Sequence, residues 1–118
     1  MTVKNVRALF IPVDGDIELH ESFPGHWQVI RDKLDVQVID VTSTRNASFW
    51  VDDEGLLNGS QPNRRASALY WLDGGYLGNV LHGNVLIMGL PDDEGFETDV
   101  PDTILKIVEE NETMRIRA

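Results

Sequence analysis

The chain has 118 residues, a hydrophobic content of 42%, a formal net charge of −10 and no cysteine. This size and composition are typical of one globular domain, which we assign to residues 1–118. The lack of cysteine excludes disulfides, thiolate catalysis and cysteine zinc sites, and it favours a cytoplasmic location. The negative charge disfavours direct binding to nucleic acids or anionic membranes, and no apolar run is long enough to span a bilayer.

The first part of the chain predicts a strand, a helix and a hairpin. Residues 6–13 form a short apolar run that ends at a turn signal, as is typical of a strand. Ser22 is a candidate N-cap, and apolar residues recur after it at helical spacing, which predicts a helix with a buried stripe. The stripe comprises Phe23, Trp27, Ile30 and Leu34. Residues 36–41 and 47–51 are rich in β-branched and aromatic side chains, which predicts two strands joined as a hairpin.

The second part predicts two more helices around a buried strand. Ser60 is a candidate N-cap of a helix that ends at residues 73–75. The continuous apolar run 85–88 predicts a central strand that is covered on both faces. Residues 101–110 predict a third helix, and residues 114–118 either fray or add an edge strand. This order favours an α+β fold, in which a small, mostly antiparallel sheet of about four strands has two to three helices packed on one face.

Two motifs connect the chain to a known family. Residues 53–66 read DEGLLNGSQPNRRA, and residues 82–89 read HGNVLIMG. In this order the motifs resemble the family called domain of unknown function 3846, which phages and bacteria carry, over roughly residues 6–96. The resemblance implies a small intracellular, often phage-encoded protein and implies no activity. The chain departs from the family pattern at residues 33–36, which read KLDV where the family usually has a Gly-Gly step.

A pair of arginines lies at the start of the second predicted helix. Asn63, Arg64 and Arg65 fall in its first turn, where free N–H groups and the helix dipole favour an anion. One interpretation is a ligand site, which predicts a protein that binds or sequesters an anionic nucleotide. The other is a structural turn in which the arginines pair with Asp53 and Glu54.

Two tryptophans are candidates for a protein interface. Trp50 and Trp71 each have an aromatic neighbour, Phe49 or Tyr70, that could take the buried position instead. An exposed tryptophan is a frequent anchor at protein interfaces, whereas a buried one belongs to the core. Both interpretations stay open for these two residues.

Acidic residues are concentrated near the C-terminus. Nine acids and one base lie between residues 92 and 112. Solubility does not require clustering, whereas clustered charge attracts a basic partner. We therefore expect Glu109, Glu110 and Glu112 to face a basic surface if a partner binds, the alternative being a plain solvated face.

Catalytic patterns are missing from the sequence. The three histidines have no metal spacing, and no serine lies in a nucleophile elbow. We therefore expect no enzyme activity, cofactor or metal. The sequence favours a protein that binds or modulates a host protein with a basic surface. The alternatives are the nucleotide-binding protein and an acidic DNA mimic that inhibits a DNA-binding enzyme.

Overall fold

The computed structural model describes residues 4–111, which form one five-stranded sheet and three helices. The strand order is β2-β1-β5-β4-β3, and neighbouring strands are antiparallel. This confirms the α+β class, with five strands instead of about four. Glu112 and residues 114–118 lie outside the described residues. In chain order the elements are β1 (Asn5–Ile11), β2 (Glu18–Pro24), α1 (Trp27–Leu34), β3 (Ile39–Ser43), β4 (Ala47–Asp52), α2 (Arg64–Leu72), β5 (Val85–Gly89) and α3 (Asp102–Glu110).

The central strand of the sheet is β5, which lies between β1 and β4 and is buried along its whole length. Val85 and Ile87 contribute to the core on one face, and Leu86 and Met88 to the core on the other. A strand with both faces covered needs apolar residues at every position, not at alternate ones. The prediction from the run 85–88 is therefore confirmed.

Helices cover both faces of the sheet. α2 and α3 pack on the face that carries Leu9 and Phe49. α1 packs on the opposite face, where Ile30 and Leu34 share a core with Phe10. The expectation of helices on one face is wrong, because neighbouring apolar residues of β1 point to opposite faces and both faces require cover.

The edge strand β2 is the element that the sequence did not predict. It pairs with β1, and of its residues only Phe23 is buried. Because such a strand shows no apolar alternation, its one core residue, Phe23, was assigned to the apolar stripe of the following helix. Ser22 therefore lies within a strand and does not cap a helix.

The helix α1 begins at Trp27, after the N-cap His26. The prediction that Trp27 is a core residue is wrong, since it is 52% exposed and lies under the guanidinium of Arg31. The helix ends at Asp35, which has a left-handed φ of 58°. This is the step where the family pattern has glycines, and glycine is the usual residue in that conformation.

The remaining boundaries differ by a few residues. β3 occupies Ile39–Ser43 where residues 36–41 were expected. The hairpin between β3 and β4 is confirmed, and α2 ends at Asp73 as predicted. The cap of α2 is Asn63 and not Ser60, because the chain from Gln61 to Asn63 is extended and pairs with the segment before β5.

Candidate functional site

The predicted anion site lies at the N-terminus of α2, where Asn63 is fully buried. Its Oδ1 accepts a hydrogen bond from the N–H of Ala66 at 3.0 Å, which caps the helix. Its Nδ2 donates to the carbonyls of Ile11 and Gly83, both at 2.9 Å. The Asn63 side chain therefore joins α2 to β1 and to the segment before β5, and its amide is used within the protein.

The two arginines of this site differ in their surroundings. Arg65 donates from Nη2 to the carbonyl of Pro12 at 2.8 Å. Arg64 is exposed. In residues 4–111 neither arginine forms an ion pair with Asp53 or Glu54. Arg65 is thus held by a backbone carbonyl instead of an acid. Anion binding by these residues stays a prediction.

Trp71 lies half-buried on α2 and holds a neighbouring turn. Its ring packs against the core beneath α2, and its Nε1 donates to the carbonyl of Asn79 at 2.8 Å. The N–H of Asn79 in turn donates to the carbonyl of Tyr76 at 3.0 Å. Trp71 therefore positions the turn formed by residues 76–79.

Tyr70 supports the same turn from the core. Its hydroxyl lies 3.3 Å from the Thr42 hydroxyl on β3. The hydrogen bond with Thr42 lowers the pKa of Tyr70, and bonds with the Asn79 side chain and the Tyr76 backbone lower it further. A Cβ atom at Gly75 would collide with the Tyr70 ring, so the chain can cross this ring only with glycine.

Two loops expose a set of large apolar side chains, which we call the loop surface. Leu56 and Leu57 follow β4 and are 76% and 86% exposed. Tyr76, Leu77 and Val80 follow α2 and are exposed as well. The loop surface comprises Leu56, Leu57, Tyr76, Leu77 and Val80. These residues were not predicted from the sequence as a site, although a Leu-Leu pair between Gly55 and Gly59 is an unusual composition for a polar turn.

An open cavity of about 550 Å³ lies between the two loops. Leu56, Leu57 and Val80 form part of its wall, and the exposed Asp40 and Asp53 line it as well. No lysine or arginine is among its lining residues. Apolar side chains of the loop surface and carboxylates therefore line the same cavity.

A second, more polar cavity of about 670 Å³ shares one residue, Asp52, with the first. Asp52 is only 9% exposed. Its Oδ1 accepts from the N–H of Glu54 at 2.9 Å, and its Oδ2 accepts from Nδ2 of Asn58 at 3.1 Å. Asp35, at the end of α1, also lines this cavity.

The acidic residues that the sequence singled out lie elsewhere. Glu109 and Glu110 are exposed at the C-terminus of α3, and Glu112 is outside the described residues. In the preceding loop, burial raises the pKa of Glu97, and the nearby charge of Asp92 raises it further. One carboxylate oxygen of Glu97 is buried and has no hydrogen-bond partner among the described residues.

Trp50 lies on β4 and packs against the core beneath α1. It is half-buried, and its Nε1 is buried without a hydrogen-bond partner in the described part of the chain. Neither Trp50 nor Trp71 lines the cavity of the loop surface. A direct contact of either tryptophan with a partner stays a prediction.

Within residues 4–111, no group of three or more histidines and acids is placed to hold a metal ion. None of the helices in this range is long and apolar enough to cross a membrane.

The two sequence motifs meet in the structure. Asn63, from the first motif, donates to the carbonyl of Gly83 in the second, and Gly55 packs against His82. Comparison with known families matches residues 6–112 to the family described as Domain of unknown function (DUF3846). No curated protein and no solved structure matches the chain.

Proposed function

The chain belongs to the family described as Domain of unknown function (DUF3846), and we propose that it is a non-enzymatic binding protein whose loop surface docks onto a protein with a basic surface. The observation that carries this proposal is the exposure of five large apolar side chains on two loops. Three of them, Leu56, Leu57 and Val80, line one cavity together with acids.

Apolar exposure of this kind favours an interaction site. Isolated apolar residues are common on protein surfaces, but contiguous patches within a polar rim mark interfaces. Tyr76 adds an aromatic side chain, a type that is enriched at interfaces. The bonds of Trp71 and Tyr70 hold the turn that carries Tyr76, so part of the surface is ordered before a partner binds.

The charge of the chain favours a basic partner over a second copy of the same chain. Asp40 and Asp53 line the cavity of the loop surface, and the whole chain carries −10. Two copies that met through this surface would bring like charges together, which costs free energy. A partner with lysines or arginines around an apolar contact would instead gain both attraction and burial.

The family resemblance supports a bacterial protein as the partner. A family carried by phages and bacteria is expected to act in the cytoplasm of the bacterial cell, where a phage-encoded protein meets host proteins. The net charge disfavours nucleic acids and anionic membranes as direct partners.

A capture experiment with matched variants tests the proposal. Wild type, Leu57→Asp and the double variant Glu109→Gln, Glu110→Gln are immobilised, and bacterial proteins retained by each are quantified by mass spectrometry. We expect a protein that wild type and the double variant retain and that Leu57→Asp loses. The retained protein is then purified, and cross-links from it to residues near Leu57 should lie in a segment with basic and apolar side chains.

The opposite pattern would overturn the proposal. A partner that Leu57→Asp retains and the double variant loses would place the interaction on α3. If that partner were a DNA-binding enzyme, the DNA-mimic alternative would hold instead.

A further inference from the structure

The strand β3 forms one edge of the sheet, because β4 is its only neighbour in the strand order of residues 4–111. The N–H of Thr44, just after β3, donates to the carbonyl of Ala47 at 2.9 Å. In an antiparallel pair, residues that exchange such hydrogen bonds alternate with residues whose backbone groups point away from the neighbouring strand. The backbone N–H and C=O groups that point to the outer edge are therefore those of Ile39, Val41 and Ser43.

The two edges of the sheet differ in how they are protected. The opposite edge strand, β2, ends in Pro24, carries the ion pair of Glu18 with Lys33, and pairs with β1 in an irregular register. Proline, charged side chains and irregularities of this kind prevent an edge from pairing with another strand. β3 has no proline and a regular register, and its exposed Val41 is a β-branched residue of the type that favours strands. The edge at β3 is therefore the better suited of the two to accept another strand.

Asp40 occupies part of this edge. Its Oδ1 accepts a hydrogen bond from the outward N–H of Val41 at 2.8 Å. Both residues are exposed, so this bond is exchanged for another at little net cost. The carbonyl of an arriving strand can accept from the N–H of Val41, and the released carboxylate can then accept from a basic side chain of that strand. Asp40 therefore favours a strand that brings a positive charge.

The cavity of the loop surface lies beside this edge. Three consecutive residues of β3, from Asp40 to Thr42, line it together with Leu57 and Val80. The hydroxyl of Thr42 lies 3.3 Å from that of Tyr70, so the side chains of Asp40 and Thr42 lie on the face that α2 covers. An added strand would lie about 4.8 Å from β3 and would direct every second side chain to this face. These alternate side chains would enter the cavity.

We propose that the partner of the loop surface contributes an extended segment that adds to the sheet as a further strand beside β3, with apolar and basic side chains directed into the cavity. Leu57 and Val80 offer apolar contacts there, and Asp40 and Asp53 offer carboxylates. Charge complementarity favours a basic segment over β3 of a second copy, which would bring the carboxylates of both copies to one edge. Main-chain hydrogen bonds supply affinity in this binding mode, and the alternate side chains supply specificity. The inference rests on the proposed function for the existence of a partner and adds how that partner binds.

A synthetic strand tests this binding mode on the full chain. The probe is the peptide Thr-Leu-Thr-Arg-Thr-Leu-Thr with blocked ends, in which the leucines and the arginine share one face. One N-methylated form carries its methyl groups on the leucine and arginine amides, and a second form carries them on the three threonine amides that follow. Because alternate amides of a strand point to opposite edges, methylation should weaken binding about tenfold in one form and leave the other within about threefold of the parent peptide. Dissociation constants are measured by titration calorimetry.

Amide hydrogen exchange, followed by NMR, locates the bound probe. We expect the peptide to slow the exchange of the outward amides, which belong to Ile39, Val41 and Ser43. The amides of Asp40 and Thr42 already point to β4 and should change less. Replacing the arginine of the probe by glutamate should weaken binding about fivefold, because the carboxylates at the cavity would then meet a like charge.

The variant Val41→Pro blocks the edge and spares the hairpin. Proline has no N–H, but it is tolerated in an edge strand where that N–H points outward. We expect a melting temperature close to that of wild type and dissociation constants about tenfold weaker for the probe and for the captured partner. Val41→Thr keeps the N–H and the β-branched shape, so it should weaken binding by less than about threefold. If Val41→Pro fails to fold, the two methylated probes still decide.

Strand addition and the proposed function fail in different ways. A captured partner that Leu57→Asp loses and a folded Val41→Pro retains at unchanged affinity overturns strand addition and leaves the proposed function in place. No binding of the probe, or equal binding of its two methylated forms, likewise overturns strand addition. A captured partner that neither variant loses overturns both proposals. A dimer of the chain that Val41→Pro dissociates, without binding of the probe, would assign the edge to a second copy and overturn strand addition by a partner.

Discussion

The cavity of the loop surface and the acidic stretch of residues 92–110 both carry exposed acids, but they differ in the side chains that accompany these acids. The acidic stretch has more carboxylates, and Glu109 and Glu110 are exposed on a helix whose apolar residues point inward. Fewer acids line the cavity of the loop surface, but exposed apolar side chains line it with them. Burial of apolar area supplies most of the free energy of association, whereas charge mainly sets its rate and selectivity. Charge density alone therefore does not decide which of the two regions is the better candidate for a binding site.

The largest expected effect is that of Leu57→Asp. Leu57 is the most exposed apolar residue of the loop surface, so the substitution should leave the melting temperature unchanged. It should weaken the affinity for the captured partner by about 30-fold, or ~2 kcal/mol, because it places a charge in an apolar contact. Val29→Asp, on the solvent side of α1, is the matched control and should leave the affinity unchanged.

Trp71→Phe distinguishes a positioning role from direct contact. The variant keeps an aromatic ring but loses the Nε1 donor to the Asn79 carbonyl. We expect a decrease of about 1 kcal/mol in the free energy of unfolding. Hydrogen exchange should accelerate in residues 76–80 and stay unchanged in α3. Unchanged exchange in residues 76–80 together with weaker partner affinity would indicate that Trp71 contacts the partner itself.

Neutralising the acids that line the cavity of the loop surface should change the rate of association with the partner more than the rate of dissociation. The double variant Asp40→Asn, Asp53→Asn should slow association about threefold and reduce its dependence on salt, measured by surface plasmon resonance. The pair Glu109→Gln, Glu110→Gln changes the net charge equally. If that pair slows association more than Asp40→Asn, Asp53→Asn does, the partner approaches the acidic stretch first. The loop surface would then not be the better candidate site.

The smallest effect concerns Glu97, within the acidic stretch. Burial raises the pKa of Glu97 in the folded state, so its contribution to stability is present at low pH and is lost as the pH rises through the folded pKa. Glu97→Gln should therefore stabilise the protein at pH 7 by no more than about 0.5 kcal/mol after solvent screening. The difference from wild type should vanish below the unfolded pKa, as checked by urea unfolding at several pH values.

Much of the fold was predictable because its signals are local. The apolar run of β5, the hairpin before β4 and the inward stripe of α3 each depend on neighbouring residues. β2 was missed because an edge strand buries little and shows no periodicity. Trp27 was misassigned because helical spacing defines a stripe but does not show where the helix begins.

The candidate sites could be predicted less well, since they depend on contacts between distant segments. Acidic clustering is visible in the sequence, but Leu57 and Val80 become neighbours only through the fold. Asn63 attracted attention beside two arginines, and its partners Ile11 and Gly83 are distant in sequence. The local sequence pattern therefore indicated that Asn63 has a particular role, but it did not show that the amide forms hydrogen bonds within the protein.

Hydrogen–deuterium exchange of the chain with its captured partner shows directly whether the loop surface is the site of contact. We expect binding to slow exchange in residues 53–58 and 76–82 and to leave residues 102–110 unchanged, because we propose that apolar contact and not charge density defines the site. Protection confined to residues 102–110, with none in the two loops, would contradict it.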